Sequence, residues 1–459
     1  MLNRLYLAYL KSHTVTTDSR HITPGCLFFA FRGEHFDGNA FAPEALRQGA
    51  AMCVISDPRY RVDDRCIVVD DVLKTLQDLA VLHRGYMTIP VVGITGTNGK
   101  TTTKELVHAV LARRYRTAAT TGNHNNHLGV PLTLLGVPPQ SEIAVVEMGA
   151  NHPGEIEALC RIADPDCGLI TNVGIAHIEG FGSFEGVVHT KTELYRHLAA
   201  KHGLVFVDAD NQRLMDEASR LATIPPTESF LPAYVPANPV LSEEALRETP
   251  LGVVTYGTAA EADVRGTVTT ADGNPYLRFY FEVGDNVYTV QTHLLGNYNF
   301  ANCMAAVAVG LHFGVEPFDI KEAIEQYVPR NQRSEYRETS RGNHLYLDCY
   351  NANPSSMAAA VASFRSMGGD MAIVGGMKEL GDVSRKEHEH LVQMLEDSKL
   401  KRVLLVGHEF DGIALPQGME PYPTTEAVAA ELSAHPVTGL SILVKGSNGN
   451  RLWTLEELL

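Results

Sequence analysis

A glycine-rich turn between a buried strand and a helix constrains the fold of this chain more than any other segment. The run TIPVVGITGTNGKTTTKELVHAVLARR, residues 88–114, begins as an apolar strand, turns at a glycine-rich loop and continues with apolar residues at helical spacing. Glycines allow backbone N–H groups to surround phosphate oxygens, Lys100 supplies a positive charge, and the Thr101 hydroxyl can bind Mg²⁺. The segment therefore predicts a phosphate-binding parallel α/β sheet; a glycine-rich turn without a ligand is the alternative.

The length of the chain predicts several domains. Its 459 residues exceed what one hydrophobic core usually serves, and the usual domain size gives about three folding units. Residues 1–86 alternate short apolar strands with helical stretches, which predicts a small N-terminal α/β domain. Residues 87–314 contain the glycine-rich turn and further buried-strand runs separated by helices, which predicts a parallel sheet with crossover helices.

The pattern changes within this central unit and again after it. From residue 251 to 295 the runs VVTYG, DVRGTVTT, YLRFYFEV and VYTVQTHLL alternate strictly, with ADGN and GDN as hairpin turns, so we predict an antiparallel annex. Residues 315–459 contain the strand runs HLYLDCY, MAIVGG, KRVLLVG and SILVKG. They predict a third, Rossmann-like α/β domain that binds ligands at the carboxyl ends of its strands.

Composition excludes several classes of protein. The net charge of -16 argues against a nucleic-acid partner, because binding to a phosphate backbone depends on clustered Lys and Arg. The seven cysteines form no C-x-x-C pair, which indicates neither a zinc ribbon nor a disulfide framework. Arg4 and Lys11 interrupt the N-terminal segment, and no apolar run approaches the ~20 residues of a membrane span. We expect a cytoplasmic protein that does not insert into a membrane.

Glu147 is the first candidate metal ligand. It ends the apolar run IAVVEMG, which places a carboxylate at the carboxyl edge of the sheet beside the phosphate loop. Magnesium prefers such hard oxygen ligands. A strand-end glutamate that faces solvent is the alternative.

The sequence GTNGKTT is more particular than a general phosphate loop. Gly93 lies one residue too early for the pattern G-x-x-x-x-G-K-[ST], and the chain has no N-K-x-D segment for guanine recognition. GTNGKTT resembles the loop that Mur ligases share with folylpolyglutamate synthases, which form amide bonds through an acyl phosphate. The residues predicted to bind the ATP phosphates are Gly96, Thr97, Asn98, Gly99, Lys100, Thr101 and Thr102.

The resemblance assigns roles to two further residues. His177 lies in TNVGIAHIEGFGS, which matches the T-N-x-x-x-x-H segment in which Mur ligases place a metal-associated histidine. Lys191, in VVHTKTELYRHL, matches the lysine that reacts with CO₂ in these enzymes. By composition alone Lys191 would be a solvated helix lysine. The resemblance implies instead a carbamate that holds a second Mg²⁺. The predicted catalytic residues are then Lys100, His177 and Lys191. The predicted metal ligands are Thr101, Glu147, His177 and Lys191.

Segments at both ends extend the resemblance over the whole chain. TDSR, residues 17–20, and LFFAFRGEHFDGNAF resemble the UDP-sugar-binding domain of Mur ligases, which folylpolyglutamate synthases lack; Ser19 and Arg20 are the predicted UDP-sugar contacts. DCYNANPSS, residues 348–356, resembles the D-x-Y-N-A-N-P-x-S signature of the dipeptide-adding Mur ligases, and the D-N-P-R of those that add a dibasic third residue is absent. The predicted dipeptide-acceptor residues are Asn351, Asn353, Pro354 and Ser355.

Other residues are assigned to ATP by the same resemblance. LGNYNFAN, residues 295–302, resembles the L-G-x-H-N-x-x-N segment near the adenine, with Tyr298 where histidine is common, and VKGSNG, residues 444–449, has Asn448 where arginine is frequent. The additional ATP-binding residues predicted are Asn297, Asn299, Arg333, Asp348 and Tyr350.

The resemblance implies an activity. It is that of an ATP-dependent ligase which joins D-alanyl-D-alanine to UDP-N-acetylmuramoyl-tripeptide through an acyl phosphate, with Mg²⁺ and a carbamylated lysine, as a monomer whose third domain closes over the site. Two substrate alternatives remain, a Mur ligase for the third-position amino acid and a folylpolyglutamate synthase-like ligase. A non-enzymatic alternative is an ATP-binding regulatory protein on the same fold.

Overall fold

A computed structural model describes residues 1–222, 251–269, 274–330 and 332–459. In these ranges the chain forms three β-sheets, one after another along the sequence, each flanked by helices. The predicted three-domain α/β class is confirmed. No helix of the described ranges is both long enough and apolar enough to cross a membrane.

The N-terminal sheet has four parallel strands in the order β1-β2-β3-β4. These are β1 Val15–Thr16, β2 Leu27–Phe29, β3 Met52–Ile55 and β4 Cys66–Val68, with helices at Leu2–Ser12, Ala42–Arg47 and Val72–Tyr86. The last helix fixes this domain to the next, because Arg84 and Asp166 form a buried ion pair of 2.8 Å across the junction. Arg84 also donates to the carbonyls of Ala163 and Asp164, so the buried guanidinium is well paired.

The central sheet has nine strands in the order β13-β12-β11-β10-β9-β8-β5-β7-β6. They are β5 Val91–Thr95, β6 Thr117–Ala119, β7 Ile143–Glu147, β8 Cys167–Ile170, β9 Leu204–Asp208, β10 Gly252–Gly257, β11 Val264–Thr269, β12 Tyr276–Val283 and β13 Asn286–Leu295. The helices are Lys100–Leu111, Gly129–Leu135, Glu155–Ala163, Ile178–Phe181, Phe184–Lys191, Glu193–Ala200, Gln212–Ala222, Phe300–His312 and Pro317–Gln326. Strands β5, β7 and β8 are neighbours and parallel, so their carboxyl ends lie side by side.

The antiparallel annex is smaller than its alternation predicts. Strands β11, β12 and β13 are antiparallel, and β12 and β13 are joined by a tight turn at Gly284 and Asp285 within the predicted GDN. The prediction for VVTYG is wrong, because β10 pairs parallel with both β9 and β11. An alternating pattern reports that a strand is half-buried and says nothing about the direction of its neighbours. Most of the predicted turn ADGN falls outside the described residues.

The third sheet has six strands in the order β14-β15-β19-β16-β17-β18, of which only β14 is antiparallel to its neighbour. They are β14 Glu335–Glu338, β15 His344–Asp348, β16 Met371–Gly375, β17 Arg402–Val406, β18 Met419–Tyr422 and β19 Ser441–Lys445, with helices Pro354–Ser366, Ser384–Asp397 and Thr425–Ala434. Register pairs Asp348 with Lys445 at the carboxyl edge.

The domain boundaries stay predictions, and one helix bears on the second of them. Pro317–Gln326 follows the predicted boundary at residue 314, yet its buried Ile320, Ala323 and Ile324 belong to the same apolar cluster as the central strands. We propose that the third domain begins after this helix.

Candidate functional site

The phosphate loop follows β5 directly, and two glycines in it have backbone angles that disfavour other residues. Gly96 has φ 143° and Gly99 has φ 78°, and the helix begins at Lys100. A Cβ at position 96 would lie 2.0 Å from the Thr171 hydroxyl, and one at position 99 would lie 2.5 Å from Asn302 Oδ1. Both positions therefore require glycine for conformation and for space.

The segment after β8 braces this loop. The backbone N–H of Thr97 donates to the Asn172 carbonyl at 2.9 Å. The Asn98 N–H donates to Asn172 Oδ1 at 3.0 Å, while the Asn98 carbonyl accepts from Asn172 Nδ2 at 3.0 Å and from the Thr171 hydroxyl at 2.6 Å. The loop is thus held in a fixed shape, which favours the preorganised binding of an anion.

Lys100 lies over the loop that it follows. Its Nζ donates to the carbonyls of Gly96 and Thr97, at 2.8 and 2.9 Å. Burial lowers the pKa of Lys100 to about 8, with a further lowering from Arg333 and an opposing effect of Glu147. A phosphate beside this amine would supply the opposite charge that burial makes favourable.

Glu147 lies on the other side of the loop, at the end of β7. Its side chain is buried, and Oε1 accepts from the Thr101 hydroxyl at 3.3 Å and from Asn125 Nδ2 at 2.8 Å. Its second oxygen, Oε2, is buried and has no hydrogen-bond partner among the described residues. A buried carboxylate oxygen without a donor is costly unless a cation binds there, so Glu147 and Thr101 fit a magnesium ion.

His177 lies between β8 and the helix Ile178–Phe181, directly before that helix begins. Its backbone is left-handed, with φ 51°. Its Nδ1 contacts Glu379 Oε2 of the third domain. Burial lowers the pKa of His177, and Glu379 acts in the opposite direction. The described ranges contain no cluster of three His, Cys, Asp or Glu side chains arranged to hold a metal; a metal at Glu147 would therefore need other oxygens, such as those of a phosphate.

Lys191 is almost wholly buried near the end of the helix Phe184–Lys191. Its Nζ donates to the Ala150 carbonyl at 3.3 Å and lies 5.3 Å from the centroid of the Phe181 ring. Burial lowers the pKa of Lys191 well below its usual value, and the charge of Lys100 adds to this effect. The neutral amine, which is the nucleophilic form, is thereby favoured.

The third domain presents paired charges to the same space. Lys445 Nζ donates to Asp348 Oδ2 at 2.5 Å, and Lys445 is buried. The Arg333 guanidinium lies 3.7 Å from the centroid of the Tyr350 ring.

Asn299, in the short 3₁₀ turn Asn297–Asn299 of the central domain, donates from Nδ2 to the Leu295 carbonyl at 2.7 Å.

A cavity of about 1160 Å³ brings most of these residues together. It runs from the helix Val72–Tyr86 past the phosphate loop to the carboxyl edge of the third sheet. The predicted site residues that line it are Thr97, Asn98, Gly99, Lys100, Thr101, Thr102, Glu147, His177, Asn299, Arg333, Asp348, Tyr350, Asn351 and Ser355.

Other predicted site residues do not line this cavity: Ser19, Arg20, Gly96, Lys191, Asn297, Asn353 and Pro354. Lys191 lies directly behind the wall, because its hydrogen-bond partner Ala150 lines the cavity. Ser19 and Arg20 lie in the N-terminal domain, where the Arg20 guanidinium pairs with Asp18 at 2.7 Å and is largely exposed.

Sequence reasoning missed two residues of the site. Asn125 holds Glu147, and Glu379 contacts His177 across the domains. The sequence carries a signal for Glu379, because this residue follows the buried strand run MAIVGG in a glycine-flanked loop. Asn125 carries no comparable pattern.

The braced loop, the half-buried lysine over it and the adjacent carboxylate define a nucleotide-phosphate-binding α/β protein. Three family models cover most of the chain: the catalytic domain of the Mur ligase family at residues 11–84, the Mur ligase middle domain at 94–225 and the Mur ligase glutamate ligase domain at 332–448. This chain belongs to the Mur ligase family, as its sequence motifs predict.

Individual relatives extend the match over nearly the full length. The chain is 34% identical over 400 residues to the UDP-N-acetylmuramoyl-tripeptide–D-alanyl-D-alanine ligase of Bacillus subtilis (strain 168), covering 86% of this chain and 80% of that protein. It is 32% identical over 449 residues to the Escherichia coli (strain K12) protein of the same name, with coverages of 97% and 92%. The solved MurF ligase from Thermotoga maritima in complex with ADP superposes with a TM-score of 0.80 at 28% identity, over 97% of this chain and 96% of that chain.

Proposed function

We propose that this chain is the ATP-dependent ligase that joins D-alanyl-D-alanine to UDP-N-acetylmuramoyl-tripeptide, forming ADP, phosphate and the UDP-muramoyl-pentapeptide. One observation carries the proposal: a single cavity joins the phosphate loop with the carboxyl edge of the third sheet, where the D-x-Y-N-A-N-P segment lies. The relatives of more than 30% identity carry this activity in their names.

The first step joins a carboxylate to a phosphoryl group. The terminal carboxylate of the tripeptide attacks the γ-phosphorus of ATP, the bond to the bridging oxygen breaks, and ADP leaves. Lys100 lies where the β- and γ-phosphates would rest on the loop, and its charge offsets the repulsion between the two anions. The amine of the dipeptide then attacks the acyl carbon, phosphate leaves, and the amine loses a proton.

Magnesium is the cofactor that the site fits. Thr101 and Glu147 would hold it, because the unpartnered Oε2 of Glu147 and the hydroxyl of Thr101 are hard oxygen donors beside the loop. When bound, the ion neutralises charge that spreads over the phosphate oxygens. His177 is proposed to lie near this ion, since it lines the same cavity.

Lys191 fits a carbamate. Its buried amine is held by one long hydrogen bond, and the lowered pKa favours the neutral form. That amine would attack the carbon of CO₂ and lose a proton, which replaces a buried neutral amine with an anion that has two oxygen donors. We propose that these oxygens serve a second Mg²⁺.

The two other substrates are proposed to bind on either side of the ATP. The UDP group would lie on the N-terminal domain, with Ser19 and the Arg20 guanidinium as its contacts. The dipeptide would lie against Asn351 and Ser355, which line the third-domain end of the cavity. We propose further that the chain acts as a monomer in the cytoplasm, where ATP is present, and that ligand binding closes the third domain over the acyl phosphate.

Phosphate release from ATP by the pure protein tests the proposal. We expect release with UDP-muramoyl-tripeptide and D-alanyl-D-alanine together, product with the mass of the pentapeptide, and loss of both in Lys100→Met. Release with a different amine acceptor only would indicate a third-position ligase, and release with a folate would indicate a folylpolyglutamate synthase. ATP binding without release from any of these substrates would indicate a regulatory protein.

A further inference from the structure

The phosphate loop and the third domain are joined by two side-chain amides. Asn353 Nδ2 donates to Asn98 Oδ1 at 2.7 Å, and Asn98 Nδ2 donates to Asn353 Oδ1 at 3.2 Å. The two residues are 255 positions apart in sequence, one in the loop that binds phosphate and the other in YNANP. In the described part of the chain, the Asn98 side chain has no other hydrogen bond.

Most of the hydrogen-bonding capacity of the Asn353 side chain is used within the protein. The residue is buried, and its Oδ1 also accepts from the Ser356 N–H at 2.9 Å as the N-cap of the helix Pro354–Ser366. Its own N–H donates to the Ser356 hydroxyl at 3.1 Å, which completes a capping box. The side-chain oxygen of Asn353 thus caps the helix and also accepts from Asn98, while its side-chain nitrogen donates to Asn98.

A second contact fixes the same helix turn. The backbone N–H of Ile175 donates to the Ser355 hydroxyl at 3.0 Å. A Cβ at position 174 would lie 2.6 Å from that hydroxyl, so the two domains approach closely here. The first turn of the helix is therefore seated on the phosphate loop and on the segment that braces it.

We propose that Asn98 and Asn353 form a positioning pair, which sets the acceptor side of the site relative to the ATP phosphates. In this role Asn353 does not contact the dipeptide, although Asn351 and Ser355 beside it line the cavity. The pair acts in both directions. A change in the loop alters how the acceptor amine is placed, and a change in the helix cap alters how the γ-phosphate is placed. The inference rests on the proposed ligase function.

Two substitutions separate this role from direct contact. Asn98→Ala removes both amide bonds and leaves the backbone bonds of the loop and the cap of the helix in place. Asn353→Ser removes the same bonds and keeps a good N-cap residue. Acyl-phosphate formation is measured without dipeptide, by trapping the intermediate with hydroxylamine, and the KM for D-alanyl-D-alanine is measured in the complete reaction.

Each substitution is expected to impair the step that takes place on the other side of the pair. Asn353→Ser slows acyl-phosphate formation roughly tenfold, and Asn98→Ala raises the KM for the dipeptide by a similar factor, as the loss of two hydrogen bonds would produce. In each of these two measurements the double variant is at most about twice as impaired as the worse single variant, because both substitutions remove the same interaction between Asn98 and Asn353. The matched control, Asn211→Ser, alters an asparagine that accepts from the Leu214 N–H at the start of another helix, outside the cavity, and should leave both measurements at the wild-type value.

Two results overturn the proposal: an Asn353→Ser variant that raises only the KM for the dipeptide, or additive effects in the double variant. Hydrogen exchange at the Ile175 amide gives a readout that does not depend on substrate. The pair predicts faster exchange there in both single variants, and unchanged exchange contradicts it. If the wild-type protein makes no product with D-alanyl-D-alanine, the ligase proposal fails while the exchange measurement still decides about the pair.

Discussion

The guanidinium carbon of Arg333 lies 3.7 Å from the centroid of the Tyr350 ring, and both residues line the central cavity. Arg333 precedes the strand β14 and Tyr350 follows the strand β15. The stacking holds a cation from one chain segment against the ring of another, so the two residues form one unit at the third-domain end of the site.

This unit predicts a selective effect on ATP. Tyr350→Leu removes the aromatic face, and the loss of about 1 kcal/mol of cation–π interaction should raise the KM for ATP severalfold with a smaller change in kcat. Steady-state kinetics with saturating tripeptide and dipeptide would measure it. Tyr350→Phe keeps the ring and should behave as the wild type; a Phe variant as impaired as the Leu variant would assign the effect to the hydroxyl.

Lys191 predicts a dependence on CO₂. Lys191→Ala should lose activity by about 100-fold or more, because the proposed anion that serves the second Mg²⁺ is gone, and short carboxylates such as formate should restore part of it. A protein prepared with ¹³C-bicarbonate should show a carbamate carbon resonance in the wild type that is absent from the variant. Lys104 is the matched control, a second buried lysine whose Nζ donates to the Thr120 carbonyl at 2.7 Å. Formate should not rescue Lys104→Ala; full activity of unsupplemented Lys191→Ala would exclude the carbamate.

Glu147 predicts opposite effects on activity and on stability. Glu147→Gln should raise the Mg²⁺ concentration needed for half-maximal rate by about 10-fold or more, because an amide is a poorer ligand than a carboxylate. The melting temperature without ligands should be unchanged or higher, since the buried oxygen that lacks a donor no longer carries a charge. Glu142→Gln, at the residue just before the same strand and paired with Arg116 at the surface, serves as the control. A large fall in melting temperature for Glu147→Gln would show that the carboxylate is structural.

The strands that sequence could predict are those with continuous apolar runs. Strands β5, β7, β8 and β9 are fully or almost fully buried, so their composition alone marks them. Strands β1 and β18 escape prediction because β1 has two residues and β18 reads MEPY, with Glu and Pro. The parallel direction of β10 was also hidden, since pairing depends on the strand that happens to lie beside it.

The residues of the site likewise include some that sequence could predict and some that it could not. The loop, Glu147 and the segment TNVGIAHIEGFGS could be placed together from sequence because each lies at the carboxyl end of a buried strand, and β5, β7 and β8 are neighbours. The contact between His177 and Glu379 could not, because it joins residues 202 positions apart through the packing of two domains. Asn353 was assigned to the acceptor site by resemblance, whereas its bonds to Asn98 become visible only in three dimensions.

His312 predicts how stability changes in acid. It is buried in the helix Phe300–His312, edge-on to Phe206, and burial lowers its pKa to about 4. The unfolded chain binds a proton at this histidine near pH 6.5, and the folded chain binds it only near pH 4. The free energy of unfolding therefore has its full contribution from neutral His312 above pH 6.5. This contribution falls as the pH drops toward 4, by up to about 3 kcal/mol. Thermal unfolding followed from pH 7 to 4 should therefore show a smaller fall in melting temperature for His312→Gln than for the wild type. His408→Gln, at an exposed histidine beside Asp411, should follow the wild-type curve; parallel curves for His312→Gln and wild type would mean that the proton taken up in acid belongs to other groups.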